Sequence, residues 1–98
     1  MPCIKVKFFG LSELTRQIGS DEFDITFDGE TFGDALGYLG NRFGAPFRQL
    51  IMSDNGEVNP VIQVLKNEEE YLARNKFDCR LAEGDELLFM FMIAGGRD

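Results

Sequence analysis

Histidine is absent from the 98-residue sequence, and cysteine occurs only twice, at Cys3 and Cys79. Without histidine, the Ser-His-Asp and Cys-His types of nucleophilic catalysis and most zinc sites are excluded. Two cysteines do not make a disulfide scaffold in a chain this short, and no signal peptide is visible. Both cysteines are therefore expected to be reduced and packed as small hydrophobic side chains, with a redox pair as the alternative.

Basic side chains are outnumbered, with 10 Lys and Arg against 17 Asp and Glu and a formal net charge of -7. This balance argues against binding to nucleic acid or to anionic membrane surfaces, because both need clustered positive charge. No apolar run is long enough to cross a bilayer. We expect a cytoplasmic protein whose acidic surface is either simply solvated or docks on basic partner surfaces.

The carboxylates that cluster in the sequence lie in polar segments typical of turns, at 21–22 and 68–70. Such clusters are expected to be solvated rather than to form a catalytic acid and base. The chain has no convincing nucleophile site either, so we expect it not to catalyse a reaction alone and to bind no metal or cofactor.

Hydrophobic residues make up 44% of the chain and include ten Phe, enough for one domain with a modest core. Apolar alternation and helical spacing predict the order of the elements. The predicted elements are strands at 3–9, 23–27, 61–65, 70–72 and 86–93, a main helix at 31–43 and short helical segments at 11–18 and 47–52. Residues 73–81 are predicted to be irregular, with one helical turn at most.

The last strand is apolar on both faces, which is typical of a central strand in a parallel pair that is covered on both sides. The main helix begins with Thr31 and Asp34 in capping-box spacing. Gly33, Gly37 and Gly40 weaken this helix by about 1 kcal/mol each relative to alanine. Close packing of the helix against the sheet is one reason for the sequence to tolerate them.

After the last strand the chain continues as a short tail, expected to be flexible over 94–98. A pair of glycines in it has no side chains and can thread a narrow channel. The expected reactive residues are Gly95 and Gly96, which are followed by Arg97 and Asp98. Flexible Met and exposed aromatic residues suit partner surfaces, although the apolar stripes are otherwise expected to form the core. The residues expected to contact partners are Met90, Phe91, Met92, Ile93 and Ala94.

The order of elements and several motifs resemble the MoaD/ThiS family of sulfur carriers. The first motifs are the opening of the chain at 5–10 and 13–15, the start of the main helix at 31–36 and the third strand at 64–67. The last is the Gly-Asp-Glu turn and apolar strand at 84–89, followed by Ala-Gly-Gly at 94–96. The resemblance covers nearly the whole chain. The start of the chain is similar to the start of the MoaD branch. It implies an α+β, ubiquitin-like β-grasp fold, with a mixed sheet of about five strands packed on one main helix.

The sequence departs from the family pattern at four places. Carriers generally end at the second glycine, whereas Arg97 and Asp98 follow it here. The MoaD branch usually has two prolines where Phe91 and Met92 stand, so this ending is more similar to the ThiS branch. Glu68 replaces the glycine that usually follows the turn asparagine, so that turn is expected to be built differently. The segment 53–60 is also longer than in a minimal carrier.

The resemblance implies a mechanism that depends on Gly96. An adenylyltransferase of the ubiquitin-activating type would use its own ATP and magnesium to convert the Gly96 carboxylate to an acyl-adenylate. A sulfur donor would then leave a thiocarboxylate, which serves the large subunit of molybdopterin synthase. Adenylation needs a free carboxylate, so a processing protease would first remove Arg97 and Asp98.

Three alternatives remain open. The carrier could serve thiamine, cysteine or tRNA thiolation instead of molybdopterin. The chain could be a ubiquitin-like modifier, whose Gly96 is joined to lysines of other proteins. It could also be a non-catalytic β-grasp interaction domain, in which Arg97 and Asp98 persist and the tail does no chemistry.

Overall fold

The described part of the chain, residues 1–91 of a computed structural model, contains five strands and three helices. In chain order these are β1 (Cys3–Phe9), α1 (Ser12–Ile18), β2 (Glu22–Thr26), α2 (Phe32–Phe43), α3 (Ala45–Ile51), β3 (Ile62–Lys66), β4 (Glu70–Leu72) and β5 (Glu86–Phe91). The predicted elements are confirmed with shifts of one or two residues at their ends, except that residues 92–93 of the predicted last strand lie outside the described part. The predicted α+β, β-grasp arrangement with a mixed sheet is confirmed too.

The five strands form one sheet in the order β2-β1-β5-β3-β4. β5 is central and parallel to β1, as its apolar sequence predicts, and it is antiparallel to β3 on its other side. The prediction that β5 is covered on both sides is wrong. Leu87 and Phe89 are fully buried under the helices, whereas Leu88 and Met90 point the other way and are only half-buried. We call the uncovered side the open face of the sheet.

The core lies between the covered face of the sheet and the helices. Phe89 is fully buried there, and its ring centroid lies 6.0 Å from that of Phe8, 6.5 Å from Phe32 and 6.1 Å from Phe47. The expectation that the phenylalanines form the core is therefore met by these four and by Phe27, which is also buried. Phe9 is the clear exception, with 69% of its surface exposed.

The predicted capping box at the start of α2 is present. The Thr31 hydroxyl accepts the Asp34 N–H at 3.1 Å, and an Asp34 carboxylate oxygen accepts the Thr31 N–H at 3.2 Å. The same oxygen accepts the Glu30 N–H at 3.0 Å. The hydrogen bond from Glu30, followed by those from Thr31, holds the pKa of Asp34 below its usual value.

The glycines of α2 do not serve sheet packing, so that expectation is wrong. The Gly33 N–H donates to the Phe77 carbonyl at 2.9 Å, and a Cβ on Gly33 would lie 3.0 Å from the Phe77 Cβ. A Cβ on Gly40 would lie 3.3 Å from the Arg48 side chain, and one on Gly37 would meet no heavy atom within 4 Å. Gly33 and Gly40 instead let a loop and a side chain of α3 approach the helix.

Residues 73–81 are irregular, as predicted, and none of them is helical. They pack against the start of α2 through main-chain hydrogen bonds, from Phe32 N–H to the Cys79 carbonyl at 2.8 Å and from Leu81 N–H to the Glu30 carbonyl at 2.7 Å. Cys3 and Cys79 are both free and half-buried. The expectation of reduced cysteines agrees with this placement.

Candidate functional site: the open face beside the end of β5

Five apolar side chains from four strands lie together on the open face. Strand register places Phe9 opposite Met90, and Leu65 between Leu88 and Tyr71. Phe9 and Tyr71 are 69% and 62% exposed, and the other three are half-buried. We call these five residues the open-face patch. Exposed apolar side chains that adjoin one another, rather than being scattered singly, are typical of a binding surface.

A border of ion pairs, centred on two lysines of β1, adjoins the patch. Lys7 Nζ lies 3.4 Å from a Glu86 carboxylate oxygen and 3.9 Å from one of Glu68. Lys5 Nζ lies 3.1 Å from Glu22, and the hydrogen bond to Glu22 raises the pKa of Lys5. Each lysine is thus matched by at least one carboxylate. The border therefore offers no uncompensated positive charge to a partner.

A hydrogen-bonded turn fixes the start of β5 beneath the patch. The Asn67 side-chain amide donates to Asp85 at 3.1 Å and accepts the Glu86 N–H at 2.8 Å. Asp85 also accepts the Ala82 N–H at 2.8 Å. Burial works to raise the pKa of Asp85, but these hydrogen bonds and the nearby Lys66 outweigh it, so the pKa is below its usual value. The turn joins β5 to the β3–β4 hairpin.

That hairpin is closed by Asn67 and Glu68, with φ of 55° and 61°. The Glu69 N–H donates to the Lys66 carbonyl at 3.1 Å across them. Two central residues with positive φ are the pattern of a type I′ turn, which usually takes Asn-Gly. Glu68 stands where the family usually has glycine, and the backbone at this position is left-handed all the same. It places a side chain in a conformation that favours glycine.

The structure places Met90 in the open-face patch and Phe91 on the other side of β5. Phe91 is partly buried against the core, and its Cβ lies 3.5 Å from the position of an added Cβ on Gly10. The expected site residues Met92, Ile93, Ala94, Gly95 and Gly96 lie outside the described residues, as does the expected flexible tail at 94–98. Whether Met90 and Phe91 contact a partner stays a prediction.

Sequence reasoning missed the other four members of the patch. Phe9 could have been found, because strand alternation places it on the same face as Lys5 and Lys7. Leu65 and Tyr71 have no such signal, because their place beside Leu88 depends on the strand register. The full patch is therefore a property of the folded sheet.

Within residues 1–91, no group of three or more Cys, Asp and Glu side chains is placed to hold a metal ion. No helix in that range combines the length and the apolar character needed to cross a membrane.

Comparisons with known proteins agree with the fold. No family model matches the sequence. Ubiquitin-related modifier 1 from Schizosaccharomyces pombe is 31% identical over 64 residues, 65% of this chain and 66% of the relative. SAMP1 from Haloferax volcanii is 30% identical in a solved structure, with a TM-score of 0.74 over 96% of this chain and 99% of that one.

A putative molybdopterin converting factor subunit 1 from Pyrococcus furiosus shares the fold at 18% identity. Its TM-score is 0.70 over 95% of this chain and 100% of that chain. The molybdopterin converting factor subunit therefore shares the fold that the motifs indicate. SAMP1 is 30% identical over almost the whole length of both chains. The chain belongs to the ubiquitin-like β-grasp family that includes SAMP1.

Proposed function

We propose that this protein is a cytoplasmic sulfur carrier that is processed to Gly96 and then carries sulfur there as a thiocarboxylate. The observation that supports this most is the position of β5. The described part of the central strand reaches Phe91 beside the open-face patch, and the diglycine follows in sequence by only a few residues. A partner that binds the patch can therefore receive the tail at a fixed place.

The chemistry begins at the Gly96–Arg97 peptide bond. A processing protease adds water across that bond, and Arg97-Asp98 leaves with the new amino group. The freed Gly96 carboxylate attacks the α-phosphate of ATP in an adenylyltransferase, which releases pyrophosphate and leaves an acyl-adenylate. A sulfur nucleophile at the oxidation level of sulfide then forms the acyl–sulfur bond and expels AMP. In this scheme ATP and magnesium belong to the partner, and this chain binds no cofactor.

The open-face patch provides the handle for these partners. Tyr71 and Phe9 are the most exposed members, and large aromatic side chains often dominate the affinity of an interface. Met90 adds a flexible apolar contact beside them. The adjoining carboxylates favour a basic rim on the partner. We propose that the adenylyltransferase and the molybdopterin synthase large subunit use this same surface in turn.

A modifier role is the second candidate, and the names of the relatives favour it. Two relatives at 31% and 30% identity carry a modifier name, Ubiquitin-related modifier 1 and SAMP1, the small archaeal modifier protein 1. In this alternative a lysine amine of another protein attacks the acyl-adenylate, so that an isopeptide bond forms and AMP leaves. The carrier and the modifier share the activation step and differ only in the nucleophile that follows.

The deciding measurement is the intact mass of the protein isolated from its native cell. A species that ends at Gly96 with one oxygen replaced by sulfur supports the carrier. Branched peptides with Gly96 on a lysine of another protein support the modifier. Only the chain that retains Arg97 and Asp98, found while the adenylyltransferase is active, contradicts both and favours the interaction domain.

The docking step has its own test in the adenylation rate. Met90→Asp places a charge in the centre of the patch and is expected to lower the kcat/KM for adenylation roughly 30-fold, the effect of a central interface residue. Thr26→Asp is the matched control, because Thr26 is exposed on the same face in the edge strand β2. Equal losses in the two variants would indicate a general charge effect and contradict docking at the patch.

A further inference from the structure

A groove of about 410 Å³ runs along one face of α2, in the helical layer and therefore opposite the open face of the sheet. Its other walls come from α3 and from the loops that contain Gly56 and Phe77. The lining is mostly apolar: Leu36 and Phe47 are buried there, and Met52 and Phe77 are half-buried. A groove of this volume is large enough for a small ligand or a short segment of chain.

Gly37 lies in the middle of the groove, and the packing of residues 1–91 does not account for it. A Cβ on Gly33 would lie 3.0 Å from Phe77, and one on Gly40 would lie 3.3 Å from Arg48, so these two side chains mark the ends of the groove. Gly37 is exposed, and a Cβ there would meet nothing within 4 Å. The space over Gly37 is therefore open to a main chain from another molecule.

Arg48 gives the groove its charge. It is the one charged residue among the described residues that line the groove. Its side-chain hydrogen bond within residues 1–91 is a long contact of 3.5 Å to the Asn41 amide oxygen. It forms no ion pair with a carboxylate of that range, including Asp54, which lines the neighbouring cleft with it. In a chain with net charge -7, such a groove favours an occupant that carries a carboxylate.

Arg42, at the end of α2, shows how this fold holds an arginine for its own use. Its guanidinium carbon lies 5.1 Å from the ring centroid of Phe43, 5.9 Å from that of Phe23 and 6.0 Å from that of Tyr38. Such cation–π contacts hold the charge against the surface of the protein itself. Arg48 has no contact of this kind with the rings of residues 1–91. Its guanidinium is therefore available to a partner.

The two ends of the groove set the spacing between the groups that an occupant needs. Seven helical positions separate Gly33, beside Phe77, from Gly40, beside Arg48, which is about 10 Å along α2. An extended chain rises about 3.3 Å per residue, and its alternate side chains point the same way. Two side chains separated by one residue thus face the groove together at about 6.6 Å, and the long Arg48 side chain covers the remaining distance.

We propose that this groove binds an extended segment of a partner protein in which one residue separates an apolar side chain from Asp or Glu. The apolar side chain packs against Phe77 and Leu36, the main chain crosses Gly37, and the carboxylate pairs with Arg48. The groove and the open-face patch lie on opposite sides of the sheet, so a partner in one leaves the other uncovered. A second protein can therefore hold this one while a different partner uses the open face.

Selection from a displayed library of random short peptides on the immobilised 98-residue protein tests this specificity. Peptides with an apolar residue and an acidic one at this spacing are expected to be enriched. Arg48→Glu is expected to select Lys or Arg in place of the acid. Arg16→Glu is the matched control, since Arg16 is exposed on α1 and does not line the groove, and it should select the same peptides as the wild type. No enrichment, or enrichment without an acidic preference, would overturn the proposal.

Titration with a synthetic copy of the selected peptide locates the site. Its Kd is expected to rise roughly 10-fold in Arg48→Glu, the effect of losing a charged hydrogen bond. Gly37→Leu fills the space over the helix and is expected to abolish binding, whereas Gly37→Ala should keep most of it. Circular dichroism shows that each variant is folded. A peptide whose binding is lost in Met90→Asp but not in Gly37→Leu would overturn the proposal, because it would lie on the open face.

Two further outcomes identify other occupants. If the apolar residue of the peptide can be changed to glycine without loss of affinity, the groove binds only an anion, and the proposal is wrong. It is also wrong if the protein alone dimerises in sedimentation experiments and Gly37→Leu makes it monomeric, because the occupant is then a second copy. Neither outcome depends on a thiocarboxylate at Gly96, so this inference and the proposed function can fail separately.

Discussion

The two faces of one sheet divide the tasks of this protein between them. On the covered face, Phe89 is fully buried in a core that contains no buried polar or charged side chain among residues 1–91. On the open face, its neighbour Met90 lies half-buried in an apolar patch beside ion pairs. Strand alternation alone separates them. Side chains of the covered face are therefore expected to contribute most of the stability, and those of the open face most of the binding to partners.

Truncation of each of the two neighbours, Phe89 and Met90, is the strongest test of this division between the faces. Phe89→Ala removes a ring that contacts Phe8, Phe32 and Phe47 and should lower the free energy of unfolding by about 3–5 kcal/mol. Met90→Ala should cost about 1 kcal/mol or less, because its site is half-open to solvent. Urea unfolding followed by circular dichroism measures both. Similar losses for the two variants would show that the open face is as important for stability as the core.

The sequence predicted the covered face better than the open one. Periodicity located all five strands and α2, and the capping residues Thr31 and Asp34 located the start of that helix. It could not locate the patch, because Leu88 is placed beside the Leu65–Tyr71 hairpin pair by the register of β5 on β3, two strands distant in sequence. The same run of apolar residues in β5 also suggested two covered faces, since hydrophobicity does not distinguish a core from a docking surface.

The helical layer that covers the sheet varies in how tightly it is packed, and its glycines test this. A Cβ on Gly33 would lie 3.0 Å from the Cβ and 3.1 Å from the carbonyl oxygen of Phe77. Gly33→Ala should therefore lower the free energy of unfolding by about 1–3 kcal/mol through overpacking. Gly37→Ala meets no atom and should raise it by about 1 kcal/mol through helix propensity. Thermal unfolding of both variants shows which is the more stable. Stabilisation by Gly33→Ala would contradict the close packing of Gly33 against Phe77.

The turn below the open face should give stability a dependence on pH that the apolar core cannot. The pKa of Asp85 is lowered in the folded state, so the unfolded chain binds more protons below about pH 4, near the ordinary aspartate value. Its contribution is thus complete above that pH and is lost as the pH falls through the folded pKa. Asp85→Asn should lower the free energy of unfolding by about 1–2 kcal/mol at neutral pH, through weakened hydrogen bonds.

The same variant should also flatten the loss of stability in acid. Asp34 has a lowered pKa as well, so part of the acid dependence should remain. Urea midpoints measured across the acid range provide the readout. If the urea midpoints of the wild type and Asp85→Asn fall in parallel as the pH is lowered, protonation of Asp85 does not contribute to the loss of stability in acid.

The smallest expected effect concerns the border of the open face, where Glu68 occupies a left-handed position with φ of 61°. Glu68→Gly relieves that conformation but gives up the contact with Lys7 at 3.9 Å, in which Glu68 is 69% exposed. Exposed ion pairs contribute little, whereas a left-handed residue other than glycine costs about 1–2 kcal/mol. We therefore expect a net gain of about 0.5–1 kcal/mol in the free energy of unfolding. Glu69→Gly, at a position without positive φ, is the control and should give no gain. A lower free energy of unfolding in Glu68→Gly would mean that the ion pairs beside the patch also stabilise the fold. The division of tasks between the two faces would then be weaker than the burial pattern indicates.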